Sequence, residues 1–177
     1  MSFCSSCGHK LIASTPPHCT KCKTPQYQNP TPVAVAVTPV LKDGEVVGVV
    51  GVKRSSVTGM GAGKWALPGG YVDMGESAQQ ASLRELQEET SLSPQGPTKV
   101  LDSAISSNGK TLLIFVETSP VNYEQLLSCQ VSDECEQAGV LTKDSQLAFS
   151  SHQDVLEQFL STVSQNQPKI TSKRSFP

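Results

Sequence analysis

Five side chains in one short run carry most of the chemistry this sequence can offer. Residues 70–92 read GYVDMGESAQQASLRELQEETSL, with Glu76 followed by Arg84, Glu85, Glu88 and Glu89. Two carboxylates about 6 Å apart at an effective dielectric of about 20 repel by roughly 3 kcal/mol. The cost falls on a fully wet face and becomes useful where cations sit. At about 100° per residue, Glu88, Glu85 and Glu89 share an arc roughly 100° wide with Glu85 in its middle. Leu83, Leu86 and Thr90 lie on the adjoining side, toward a core. Arg84 and Glu88 are four apart and can pair. Magnesium takes one or two carboxylates, several waters and substrate phosphates. Ions held here would bridge to a pyrophosphate and activate an attacking water. The preceding Pro68-Gly69-Gly70 would let a backbone carbonyl approach them with no side chain in the way. Taken alone, a glutamate-rich helix is more often a solvated face, so the surrounding spacing has to decide.

A second set of ligands is formed by sulfur. Cys4-x-x-Cys7 and Cys19-x-x-Cys22 are separated by eleven residues. Paired CxxC knuckles supply the four soft ligands of a tetrahedral structural zinc site. Lys21 and Lys23 flank Cys22 and offset part of the tetrathiolate charge. Two disulfides or reactive thiols are the alternative. Cys129 and Cys135 read as ordinary thiols, and His9 and His18 as surface residues near an already complete ligand set. Residues 1–26 are too few for a hydrophobic core, so metal would supply most of their folding energy.

These side chains need elements to hold them. Residues 27–32, YQNPTP, form a proline-rich linker before a domain spanning 33–163. VAVAV at 33–37 and EVVGVVGVKR at 45–54 read as strands, the second following an Asp43-Gly44 turn. Residues 55–64 form a glycine-rich loop, and Pro68-Gly69-Gly70 a turn. A helix runs from Ser77 to Thr90, with Ser77 and Gln80 spaced as a capping box. KVLDSAI and TLLIFVET are strands joined at Asn108-Gly109. Residues 151–163 form an amphipathic helix on Val155, Leu156, Phe159, Leu160 and Val163, and the polar tail 164–177 reads as disordered. Strands surrounding one or two helices make an α/β or α+β sandwich.

Composition narrows the function. The 177 residues are 37% hydrophobic and carry a net charge of −2, with a pI near 5.9. That balance gives no electrostatic footprint for duplex nucleic acid. No run of 18 apolar residues offers a membrane span, and the N-terminus has no apolar signal region. The expectation is a cytoplasmic protein with reduced thiols.

The run Gly70, five residues, Glu76, seven residues, Arg84-Glu85-Leu86-Gln87-Glu88-Glu89 resembles the Nudix box, G-x5-E-x7-R-E-U-x-E-E-x-G-U, where U is a bulky apolar residue. Every position matches except the last glycine, which is Ser91; Leu92 fills the final U. The resemblance implies a Nudix α-β-α sandwich and Mg²⁺- or Mn²⁺-dependent hydrolysis of a nucleoside diphosphate linked to another moiety. It assigns metal binding to Glu85, Glu88, Glu89 and the Gly69 carbonyl, makes Arg84 the residue that orients the glutamates, and has Glu76 support the loop–helix geometry. The family glycine ends the helix in a left-handed conformation, in which serine is strained.

A zinc ribbon before such a domain resembles the NADH, FAD and ADP-ribose pyrophosphatases. The nicotinamide signature SQPWPFPxS is absent, whereas YQNP, LPGGYVDMGES and LAFSS look more like the FAD-hydrolysing group. FAD or ADP-ribose is therefore placed ahead of NADH. The same resemblance allows the zinc module to support a homodimer. Family members often add a glutamate from a later loop, which completes the metal shell or acts as general base. The segment CQVSDECEQAGVL offers Asp133, Glu134 and Glu136. Glu134 aligns best with the glutamate of the FAD-type relatives; Glu88 is the base if the loop acids are silent. Lys53 and Arg54 are the candidate phosphate contacts and Trp65 the candidate base contact, against surface and core roles respectively. An RNA-binding or cap-removing protein and a non-catalytic nucleotide sensor are the other classes. The acidic pI and few aromatics argue against the first, and the intact glutamates against the second.

Overall fold

The computed structural model describes residues 3–11, 18–57 and 59–166. The chain divides into two compact units, Met1–Thr31 and Pro32–Pro177.

The larger unit stacks two sheets between helices. Strands β1 (Thr31–Val37), β5 (Gly69–Tyr71), β6 (Lys99–Ile105) and β7 (Thr111–Glu117) form one sheet in the order β5-β1-β7-β6. The other runs β4-β3-β2-β8, from β2 (Pro39–Lys42), β3 (Glu45–Arg54), β4 (Trp65–Ala66) and β8 (Val121–Asn122), with β9 (Cys135–Leu141) also paired to β3. The helices are α1 (Ala78–Thr90), α2 (Tyr123–Leu127) and α3 (Ser150–Asn166).

The apolar run of β1 is explained by its two faces. Val35 and Val37 enter a core with Val49, Phe115, Leu141 and the α3 residues Leu156 and Phe159. Ala36, between them, faces a second core with Val50 and the helix residues Leu86 and Leu126. A strand covered on both faces has no reason to alternate apolar with polar. The Asp43-Gly44 turn joins β2 to β3 with both residues at positive φ, 53° and 82°, the geometry whose twist matches antiparallel strands.

Three expectations need correction. Gly69 and Gly70 do not form a turn but open β5, which pairs antiparallel with β1, Val35 opposite Gly69. A Cβ on Gly69 would run into the Ala34 carbonyl and lie 2.8 Å from the Val35 Cα, so glycine serves close strand packing there. The segment CQVSDECEQAGVL holds strand β9, because pairing with β3 outweighs its mixed polar composition. Helix α3 extends through Asn166, so residues 164–166 are helical and not part of a disordered tail; residues 167–177 lie outside the described residues. On α1, burial falls on Ala81, Ser82, Leu86, Glu89 and Thr90, while Leu83 is only half-buried. The short elements β8 and α2 had no periodic signal to reveal them.

One polar side chain inside the first core is titratable. His152, at the start of α3, is buried, and its Nδ1 accepts the Leu67 N–H at 3.3 Å. The Phe115 ring meets it edge-on at 5.5 Å and Phe149 lies at 5.1 Å. Burial pushes its pKa from 6.5 down to about 4, with Arg54 adding to the effect. The folded state thus holds the ring neutral where the unfolded chain would protonate it. This contribution is complete above pH 6.5 and is lost as pH falls toward 4, amounting to roughly 3 kcal/mol. Urea midpoints should fall between pH 7 and pH 4.5. In His152→Gln, whose side-chain oxygen can still accept from Leu67, that decline should flatten.

Candidate functional site

The smaller unit brings its four thiols together through two similar turns. Gly8 N–H donates to the Cys4 carbonyl at 2.8 Å, and Lys23 N–H to the Cys19 carbonyl at 2.9 Å. Gly8 and Lys23, each four residues after the first cysteine of its pair, are left-handed at φ 69° and 62°. Bridges Phe3 to Lys10 and His18 to Pro25 close the two turns alike. The result places Cys4 Sγ 3.6 Å from Cys22 Sγ and Cys7 Sγ 3.6 Å from Cys19 Sγ, with all four within 4.8 Å of one another. A zinc ion about 2.3 Å from each sulfur in a tetrahedron requires sulfurs about 3.8 Å apart, so the cluster fits. Disulfides need sulfurs about 2 Å apart, and the described cysteines are unbridged.

The acidic site is built on helix α1 and organised by Arg84. Ser77 caps the helix: its Oγ accepts the Gln80 N–H at 3.2 Å, and Gln80 Oε1 accepts the Ser77 N–H at 2.9 Å. Two turns on, the Arg84 fork donates five hydrogen bonds. Nε reaches Glu76 Oε1 at 2.9 Å. Nη1 reaches Glu85 Oε1 at 2.8 Å and Glu88 Oε2 at 3.0 Å. Nη2 reaches the Tyr71 carbonyl at 2.8 Å and Glu76 Oε2 at 3.1 Å. All the N–H groups of the guanidinium are thereby used. Glu76 also accepts the Asp73 N–H at 3.0 Å, and Arg84 holds its carboxyl below the usual range, aided by that bond.

The three helix glutamates differ in depth. Glu88 is 59% exposed in its side chain and Glu85 15%, while Glu89 is 5% exposed as a residue. Glu89 Oε2 accepts the Gly69 N–H at 3.2 Å. Burial raises its pKa to about 8; the charges of Glu85 and Glu134 add to this, and the Gly69 bond and Arg54 oppose it. Burial also raises Glu85, against the pull of Arg84 and with Glu88 and Glu134 reinforcing the rise. Gly70 is needed beneath Glu85, since a Cβ there would collide with its carboxylate. Among the described residues, the cations that act on Glu76, Glu85 and Glu89 are Arg84 and Arg54. A carboxylate whose pKa burial raises to about 8, against the pull of Arg54, is a fitting place for a hard divalent ion. Among the described residues only the cysteines gather three or more ligand atoms into a tight shell. Glu85 and Glu88 turn onto Arg84 instead.

The other sequence candidates are placed as follows. Arg54 ends β3, with Nε donating to the Met60 carbonyl at 3.1 Å. Trp65 is half-buried against the first core, its ring edge 3.0 Å from where a Cβ on Gly139 would lie. Glu136 faces elsewhere: its Oε1 accepts the Ser56 N–H at 2.8 Å and its Oε2 pairs with Lys53 Nζ at 2.9 Å. These contacts, the Ser56 bond foremost, lower its pKa to about 2. The partners are 80 residues apart in the chain, and no local pattern announces them.

The NUDIX domain family matches residues 30–152, more than half of the chain. A NUDIX hydrolase from Nitrosomonas europaea superposes with a TM-score of 0.68 at 21% identity, covering 95% of each chain. The NUDIX domain of Shewanella oneidensis NrtR, solved with ADP ribose, has a TM-score of 0.63 at 24% identity over 77% of this chain and 90% of its own. A mutT/nudix family protein from Listeria innocua gives 0.63 at 27% identity over 78% and 97%. Comparison with curated proteins gives no significant match. The chain belongs to the Nudix family. It is a pyrophosphohydrolase of that family, a class that uses divalent metal ions. Among the described residues no helix is long and apolar enough to cross a membrane.

Two outcomes follow for this site. Metal analysis of the purified protein should find one tightly bound zinc per chain, lost with a large drop in melting temperature when Cys19 is replaced by Ser; four titratable free thiols without zinc would contradict it. At the helix end, Ser91 is left-handed at φ 58°, and its Oγ–H donates to the Gln130 carbonyl at 3.2 Å. Ser91→Gly relieves backbone strain and loses that exposed bond, each about 1 kcal/mol. Its melting temperature should therefore hold or rise by no more than about 3 °C, whereas Ser91→Val should melt several degrees lower.

Proposed function

We propose that the protein hydrolyses a nucleoside diphosphate linked to a second moiety, with FAD and ADP-ribose ahead of NADH, to two phosphomonoesters. The observation that carries the reading is the convergence of Glu85, Glu88 and Glu89 on one helix face with Arg84 bonded to the turn before it. Substrate class is supported from two sides. The NrtR domain binds ADP ribose, and another structural neighbour, from Francisella tularensis, is a bifunctional NMN adenylyltransferase/ADP ribose pyrophosphatase with AMP and a Mn ion. Two stretches that look FAD-type, LPGGYVDMGES and LAFSS, are brought near each other beside β4 by bonds to the residues that flank them. Ala148 N–H donates to the Trp65 carbonyl at 2.8 Å, and Leu67 bonds His152.

Bound at the glutamates, magnesium or manganese would neutralise the pyrophosphate and lower the pKa of the attacking water. Glu85, Glu88, Glu89 and the Gly69 carbonyl would hold the ions. Arg84 keeps Glu85 and Glu88 aimed by occupying one oxygen of each. Glu134 takes the proton of the water as its oxygen bonds to phosphorus. The anhydride P–O bond breaks, and its electron pair leaves on the second phosphate. Arg54, whose charge acts on Glu89, would meet the substrate phosphates. Trp65 contributes from its half-buried position to the wall next to the base. The four cysteines hold structural zinc, with no ligand position left for chemistry.

A panel of FAD, ADP-ribose, NADH and capped dinucleotides, assayed with Mg²⁺ and Mn²⁺ for phosphomonoester release, tests the substrate. Turnover of FAD or ADP-ribose above the rest is expected. Release from the capped dinucleotides alone would overturn the assignment, and tight binding without turnover would make the protein a sensor. Glu89→Gln should lower kcat by at least about 100-fold. Its melting temperature without metal should match or exceed that of the parent, because the amide removes a charge that burial opposes. Near-normal turnover at saturating Mg²⁺ would remove Glu89 from the metal site.

A further inference from the structure

Strand β9 contains one residue too many for its partner. From Val49 opposite Leu141 to Lys53 opposite Gln137, β3 and β9 pair in unbroken antiparallel register. The next pair is Arg54 with Cys135, so Glu136 is the extra residue of a bulge. Side chains alternate across a strand, and a one-residue insertion turns everything beyond it to the other face. Beyond this bulge lies the Asp133–Glu134 turn, spanned by the Cys135 N–H donating to the Ser132 carbonyl at 3.0 Å. It is fastened at each end: Ser132 N–H donates to the Glu89 carbonyl at 3.3 Å, and the Glu134 carbonyl accepts the Ser55 N–H at 2.8 Å. Glu134 thereby comes close enough to Glu85 and Glu89 for its charge to act on both.

The bulged carboxylate is itself locked. Glu136 receives the Ser56 N–H on one oxygen and the Lys53 ammonium on the other, at 2.8 and 2.9 Å. Lys53 and Ser56 lie on either side of Arg54, so the lock spans the point where β3 leaves the sheet for the glycine-rich loop. A bulge leaves backbone groups without ladder partners. Here the Glu136 side chain takes up the Ser56 N–H, which fixes both the insertion and the loop opposite it.

We infer that Glu136 is a positioning residue for hydrolysis: its carboxylate, held by Ser56 and Lys53, maintains the bulge that turns Glu134 toward the metal-binding glutamates. The inference rests on the reading of Glu134 as general base. Glu136 acts through Glu134 and touches neither substrate nor ions.

The test is a double-mutant cycle on the full chain, with kcat and KM measured for FAD and ADP-ribose at saturating Mg²⁺ alongside melting temperature. Glu136→Ala should lower kcat about tenfold or more, leave KM within about twofold, and cost only a few degrees. Lys53→Met should follow it in the same direction. Glu136→Gln, which keeps an acceptor for Ser56, should recover part of the loss, and together with Lys53→Met it reads the same quantity if the alanine variant does not fold. In the Glu134→Gln background, Glu136→Ala should cost nothing further, because the residue it positions is already disabled. Full activity of Glu136→Ala beside an inactive Glu134→Gln would overturn the positioning role and leave the base intact. So would losses that multiply in the double variant. Full activity of Glu134→Gln would instead overturn the base reading, and the positioning role with it.

Discussion

The acidic site depends on one guanidinium whose donors are all engaged. Arg84 joins three pieces of chain that have no other common partner: the Tyr71 carbonyl at the end of β5, Glu76 in the turn before the helix, and Glu85 and Glu88 on the helix itself. A planar fork can satisfy these acceptors at once because its N–H groups point outward at fixed angles. A lysine ammonium, with three donors at one point, could not hold both oxygens of Glu76 and still reach the others. The same fork limits repulsion among the acids. It does not reach Glu89, the deepest, whose burial outweighs the pull of Arg54 and the Gly69 bond, and this is where the site is electrostatically incomplete.

Around that fork the sandwich sets depth. Strand β1 is buried on both faces, and β5 lies against it through glycines with no room for side chains. That close approach brings the Gly69 N–H to Glu89 and leaves space for Glu85 over Gly70. The gradient from exposed Glu88 to buried Glu89 follows from helix rotation alone, since successive residues turn about 100° from wet surface into core. Metal affinity and stability are consequently opposed in the apo protein: the carboxylate best shielded from water is also the one that folding least wants charged.

The four-cysteine unit solves a different problem. Its described residues form no apolar core, so its two left-handed turns and four sulfurs must hold them. The Nudix unit has two hydrophobic cores and draws its stability from burial. The two units therefore answer to different conditions, chelation and thiol oxidation for the first and loss of packing for the second.

Much of this was written locally. The box spacing, the Ser77–Gln80 cap, the Asp43-Gly44 turn and the cysteine pairs all rest on interactions within a few residues, where residue type and spacing suffice. The left-handed Ser91 belongs here too, because a helix C-terminus calls for that geometry. What remained hidden was long-range. Pro68-Gly69-Gly70 carries turn residues, yet Gly69 and Gly70 form a strand because β1 and α1 press on them. Polar β9 is a strand only because β3 offers an edge. Glu134 and Glu136 belong to one short acidic segment, and only the family resemblance told them apart in the sequence. The bulge against β3 separates them: Glu136 is pinned to Lys53 and Ser56, while the charge of Glu134 reaches Glu85 and Glu89. Side-chain direction in a strand depends on register, and register is a property of the pair, so it is decided only when distant segments meet.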